Sequence, residues 1–137
     1  GSFPNVSMTH VSISCNHCDE PACMKGCPTH ALQKRKEDGV VFIDHDRCIG
    51  CRYCEWNCPY GAPQYSEELG MMTKCDTCLS LREKGEEPHC VTSCPMRAIE
   101  FGEIEELRAK YGTNADIKGI PSSSITKPNL VINLLGK

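Results

Sequence analysis

Apolar and polar side chains alternate along short stretches only of this 137-residue chain, which predicts small elements rather than long ones. Ala31-Leu32-Gln33-Lys34 and Val40 to Ile43 read as two brief strands, because a period of two suits a ribbon with one face buried. Asp38-Gly39 stands between them, and a turn pair of this kind flanked by apolar runs predicts a hairpin. Ala98-Ile99-Glu100-Phe101 has the same alternation and predicts a further strand. In Ile104 to Tyr111, Leu107 follows Ile104 by three residues, the acidic residues come early and Gly112 follows. A short helix ending near Gly112 is expected there, its apolar face used for packing. Past it, residues 119–124 read as loop, and Asn129 to Leu135 is apolar enough to lie against a surface or a partner, as docking or as packing. The remainder reads mostly as turns.

Such elements leave a thin core. Only 39% of the chain is hydrophobic and 6% aromatic, so something besides apolar burial must hold it together. Twelve cysteines are the obvious resource. They fall in three groups, each ending in Cys-Pro: Cys15, Cys18, Cys23 and Cys27; Cys48, Cys51, Cys54 and Cys58; Cys75, Cys78, Cys90 and Cys94. This is an internal repeat. The second group has the spacing of the bacterial ferredoxin run, in which three close thiolates wrap one cubane and the fourth, turned away at its proline, reaches a different cluster. The first group is the same device with a longer middle gap, and the third carries a much larger insertion between Cys78 and Cys90.

Two other readings compete with 4Fe-4S clusters. Structural zinc takes two separated pairs for one tetrahedron, which suits the third group best and leaves the third cysteine of a ferredoxin run without a task. A disulfide framework fits the even count but not the repeated close spacing. His17, between Cys15 and Cys18, is either a hydrogen-bond donor to cluster sulfur or an exposed turn residue. His10, His30, His45 and His89 read as surface, and Trp56 as core filling or as a shield for a cluster. Asp44, Asp46 and Arg47 read as turn and capping residues.

Charge and motifs exclude more than they assign. A net charge of -3 with scattered Lys and Arg gives no footprint for nucleic acid. No apolar run reaches the length of a membrane span. No nucleophile-base pair, phosphate loop or paired carboxylates stand at a workable spacing, so an electron-transfer protein is expected rather than an enzyme in its own right. Gly1-Ser2 resembles a tag scar, and residues 1–10 are read as scar and leader.

Several motifs together resemble the iron-sulfur subunit of anaerobic dimethyl sulfoxide reductase: Ser14-Cys15-Asn16-His17-Cys18, Cys48-Ile49-Gly50-Cys51-Arg52-Tyr53-Cys54, Cys58-Pro59-Tyr60-Gly61-Ala62-Pro63-Gln64-Tyr65 and Thr73-Lys74-Cys75-Asp76. The similarity runs from about Val11 to Thr126-Lys127-Pro128-Asn129. The resemblance implies a small, loop-rich, cluster-stabilised α+β protein of ferredoxin-like fold that relays electrons in anaerobic respiration. The electrons would pass from a quinol-oxidising membrane anchor subunit to a molybdopterin catalytic subunit. It also implies a bacterial location, peripheral on the cytoplasmic membrane through those partners, and crossed ligation. Cys15, Cys18 and Cys23 would share a cluster with Cys58, and Cys48, Cys51 and Cys54 with Cys27. Subunits of that family carry a further amino-terminal cysteine group that this sequence lacks, so two complete cubanes are expected. The third group is expected to be empty, zinc-loaded or locally disordered. The organisation expected is a two-cluster module over 11–66, the third cysteine group over 67–102, and a helix with a docking tail over 103–137.

Overall fold

The computed structural model describes residues 1–8 and 10–134; Leu135, the end of the expected apolar tail, lies outside the described residues. Its regular structure is brief. Helix α1 (Ala22–Lys25) precedes a hairpin of strands β1 (Leu32–Lys34) and β2 (Val41–Ile43), and helix α2 (Tyr53–Asn57) precedes a hairpin of β3 (Gln64–Ser66) and β4 (Met71–Thr73). Two four-residue helices follow, α3 (Leu79–Arg82) and α4 (His89–Thr92), then α5 (Ile104–Tyr111) and a 3-10 turn at Ser123–Ile125. The result is an α+β chain rich in loops, with two separate two-stranded antiparallel sheets.

The first hairpin pairs Leu32 with Ile43 and Lys34 with Val41, around a turn in which the Asp38 carboxylate accepts the Val40 N–H at 3.2 Å and Gly39 takes φ +69°. This is the hairpin expected from Asp38-Gly39. The second hairpin, Gln64 opposite Thr73 and Ser66 opposite Met71, was not legible, because Gln64-Tyr65-Ser66 carries little apolar alternation. Helix α5 has the expected span and ends against Gly112 at φ +89°. Ala98 to Phe101, expected as a strand, forms none. No returning segment follows it before α5 begins, and a lone ribbon has no ladder to join.

Two-stranded sheets are marginal alone, and the core they share is small. It consists of Cys23, Leu32, Val41, Cys54 and Met72, with Ile43, Tyr65 and Met24 packed around it. Helices α1 and α2 pack against each other, each presenting its group's third cysteine to that core. Trp56, expected to fill core or shield a cluster, is instead 73% exposed and rests against the Tyr53 ring at 5.5 Å between centroids. It lies two residues beyond Cys54 on a helix whose buried residue is Cys54 itself, and so faces outward.

Candidate metal centres

Each cysteine group is built from the same two turns. In the Cys-x-x-Cys part, the residue before the second cysteine takes the left-handed conformation: His17 (φ 44°), Gly50 (φ 66°) and Thr77 (φ 63°). Only at Gly50 is a side chain barred on space as well, since a Cβ there would lie 2.5 Å from the Gly70 carbonyl oxygen. In the Cys-Pro part, the residue three after the cysteine is left-handed, namely His30, Gly61 and Arg97. Its N–H bonds back to the carbonyl of Cys27, Cys58 or Cys94 at 3.3, 3.1 and 3.2 Å. The N–H that follows then points at sulfur: Ala31 to Cys27 Sγ at 3.3 Å, Ala62 to Cys58 Sγ at 3.5 Å and Ala98 to Cys94 Sγ at 3.4 Å. An amide aimed at sulfur favours the thiolate. Burial opposes this at Cys27, yet the Leu32 N–H and the Thr29 hydroxyl still bring its pKa below the usual thiol value. At Cys94 the Ala98 N–H leads the same effect. The alanine four residues after each Cys-Pro cysteine was a sequence signal that periodicity did not pick out.

The turns aim the sulfurs into two cavities. The first, of about 360 Å³, is lined by Cys15, Cys18, Cys23 and Cys58, with Asn16, Tyr60, Lys74 and Thr126 among the other walls. The second, of about 300 Å³, is lined by Cys48, Cys51, Cys54 and Cys27, with Leu32, Ile43, Ile49 and Met72. Each cavity therefore takes three cysteines from one repeat and the fourth from the other. The small core is the partition between them, since Val41 and Cys23 face the first and Leu32, Cys54 and Met72 the second. Burial and the neighbouring thiols Cys15 and Cys58 push Cys23 up to about 12, and burial likewise raises Cys54 to about 11. Bare thiols there hold their protons, so a metal group entering either site must displace them.

A carboxy-terminal strap closes the first cavity. Asp19 and Glu20 donate their N–H groups to the carbonyls of Lys127 and Thr126 at 2.9 and 3.0 Å, and the Asn129 N–H reaches the Asn16 carbonyl at 3.0 Å. The Asn129 amide also donates to the His17 carbonyl at 2.9 Å and to the Asp19 carboxylate at 3.1 Å. Thr126 is buried, sets its hydroxyl 3.4 Å from that of Tyr60, and acts on the Cys18 thiol in the direction of its thiolate. Burial nonetheless keeps Cys18 above the usual value. The stretch beginning at Asn129, expected to dock or pack, thus starts by packing on the first cysteine loop.

The third group forms its turns but lines neither cavity. Cys90 is exposed, and Cys75, Cys78 and Cys94 are half-buried. The group is moored to the rest through Arg82, which pairs with Asp38 at 3.3 Å and donates to Thr77 Oγ1 at 2.7 Å, and through Lys74, which donates to the carbonyls of Val41 and Cys75.

His17 is half-buried rather than an exposed turn residue. Its Nδ1 accepts the Val41 N–H at 3.0 Å, and burial, then the Lys74 charge, lowers its pKa to about 4. His10, His30, His45 and His89 lie at the surface, as expected. Asp44 serves its turn, accepting the Asp46 N–H at 3.1 Å and pairing with Arg47 at 3.4 Å. Sequence reasoning missed Asn16, Lys74, Thr126 and Met72 as wall residues, since each reaches its cavity only through tertiary packing.

The donor sets fit a sulfide cluster. All twelve cysteines are free of disulfide bonds. Among the described residues, no three His, Cys, Asp or Glu side chains converge closely enough for one metal ion, whereas four sulfurs around a cavity suit a group several atoms across. The buried Asn16 amide at the first cavity has a nitrogen without a partner, and a cluster sulfur is an acceptor of the kind it lacks.

Comparison with known proteins points the same way. The family model of the 4Fe-4S dicluster domain matches residues 6–104. The probable anaerobic dimethyl sulfoxide reductase protein YnfG of Escherichia coli K12 is 60% identical over 128 residues, covering 93% of this chain and 62% of the relative. The B subunit of the anaerobic dimethyl sulfoxide reductase of the same strain is 56% identical over the same shares. The selenate reductase subunit beta of Thauera selenatis is 37% identical over 145 residues, covering 93% of this chain and 44% of the relative. This protein thus spans less than two thirds of the length of these relatives.

Proposed function

Because the chain belongs to the 4Fe-4S dicluster family, matched over residues 6–104, we propose that it carries electrons through two cubane clusters. One would be held by Cys15, Cys18, Cys23 and Cys58, and the other by Cys48, Cys51, Cys54 and Cys27. The observation that carries this reading is the composition of the two cavities, each walled by three cysteines of one repeat and the Cys-Pro cysteine of the other. When bound, the clusters supply the one-electron couples. The chain supplies thiolates, amide donors to sulfur, and walls that limit water. Because the partition is only the thickness of the shared core, an electron entering one site has a short path to the other.

We read the architecture as ferredoxin-like, with 11–66 as the two-cluster module, 67–102 as the third cysteine group and 103–137 as helix and tail. Residues 126–129 return to the module. Similarity to the B subunit of dimethyl sulfoxide reductase supports a role as the iron-sulfur subunit of a molybdopterin reductase, taking electrons from a quinol-oxidising anchor at the bacterial cytoplasmic membrane. Attachment there is read as running through partner subunits; no helix among the described residues is long and apolar enough to cross a membrane. The third group would be completed by ligands from elsewhere or left empty, and zinc there would require its thiols to draw together, since no three converge among the described residues.

Anaerobic iron analysis and EPR of the cluster-loaded chain test the reading. About eight irons are expected, as two cubanes require. Cys58→Ser should remove the same EPR signal as Cys18→Ser, and Cys27→Ser the same signal as Cys51→Ser. If Cys27→Ser instead removed the signal lost in Cys18→Ser, crossed ligation would be wrong.

A further inference from the structure

The two cavities differ in one charged group. Lys74 is the charged side chain on the wall of the first, while no charged side chain among the described residues lines the second. Its ammonium is held in place by the carbonyl oxygens of Val41 and Cys75, which are neutral acceptors, although the Asp76 and Asp38 carboxylates act on the same neighbour, His17, as Lys74 does. Lys34, also beside the first cysteine group, is a useful contrast. It donates to the Cys18 carbonyl at 2.9 Å but pairs with the Asp19 carboxylate at 3.0 Å, so its charge is largely spent at the surface.

We infer that Lys74 is the fixed cation of the first site and raises the reduction potential of the cluster bound there. This rests on the reading that Cys15, Cys18, Cys23 and Cys58 hold that cluster. A cubane with four thiolates is anionic and takes up further negative charge on reduction. A nearby cation therefore stabilises the reduced form more than the oxidised form. The half-buried setting of Lys74 limits screening by water and salt. The walls of both sites are mostly apolar, and in the second no such field acts from within the cavity. Lys74 is thus a positioning residue for charge, with no contact to a substrate, and it distinguishes two sites whose cysteine turns are otherwise alike.

EPR-monitored redox titration of the cluster-loaded full chain tests this, with the two signals assigned through Cys18→Ser and Cys51→Ser. Lys74→Met should lower the midpoint of the first-site signal by about 59 mV or more, a tenfold loss of reduced cluster at fixed potential for a one-electron couple. The second-site signal should move much less. Lys74→Gln keeps amide donors for the two carbonyls but no charge, and it should give the same downward shift; Lys74→Arg should restore the midpoint. Equal shifts of both signals, no shift in either neutral variant, or loss of the first cluster in both of them would overturn the inference, the last by making Lys74 a structural tether. Absence of a first-site signal in the unsubstituted chain would instead refute the ligand assignment on which the inference rests.

Discussion

The first and second cavities are built by the same turns and finished by different means. Around the first, long-range polar groups join the wall: Lys74 from beyond the second hairpin, and Thr126 from a strap more than a hundred residues past Cys15 and Cys18 that Asn129 ties to the first cysteine loop. Around the second, local and hairpin residues close it with carbon: Leu32, Ile43 and Met72. The repeated cysteine turns place sulfur, then, and the unrepeated segments set the environment that the sulfur sees. Two sites with one ligand chemistry can in this way differ in the charge beside them, which is one of the levers that spread cluster potentials.

The largest expected effect on this contrast comes from Met72, which is 2% exposed and belongs to both the partition and the second wall. Met72→Ala should cost about 2–5 kcal/mol in denaturant unfolding and hasten oxidative loss of the second cluster more than the first. Equal loss of both would show the partition acting as one unit, breaking the comparison. Asn129→Ala should have a smaller effect, about 1 kcal/mol, because it removes the side-chain donor to the His17 carbonyl while the Asp19 carboxylate keeps its pairing with Lys34. Its signature in EPR followed under air is selective loss of the first cluster, and a strap that mattered to neither site would leave both decay rates unchanged. Trp56→Ala should be the mildest, within about 0.5 kcal/mol by thermal unfolding, because the ring is 73% exposed. A cost of several kcal/mol would restore to Trp56 the packing role its sequence position suggested.

Much of this site was legible beforehand, for a physical reason. A cubane needs thiolates at short fixed intervals, so the spacing of Cys48, Cys51, Cys54 and Cys58 makes that chemistry the expectation without a fold. Asp38-Gly39 announced the first hairpin in the same local way. Ala98 to Phe101 shows the limit, since its alternation is that of a strand while strand formation requires a partner elsewhere in the chain. The Gln64–Ser66 and Met71–Thr73 hairpin fails the other way: it pairs without an apolar alternation to announce it, helped by the left-handed turn at Gly70 and a Leu69 N–H donated to Ser66 Oγ at 3.3 Å.

By itself the sequence determined the three repeats and their turns and made thiolate ligation the expectation, because cysteine spacing, Cys-Pro and the residues tolerant of positive φ act over a few positions at most. The exchange of Cys27 and Cys58 between the repeats was already implied by the resemblance, whereas only the tertiary structure decided that Thr126 walls the first cavity on a strap held by Asn129, that Lys74 lends that cavity a charge, and that the third group stands outside both. Those outcomes depend on which distant segments meet, and no local period records a contact between residues 16 and 129.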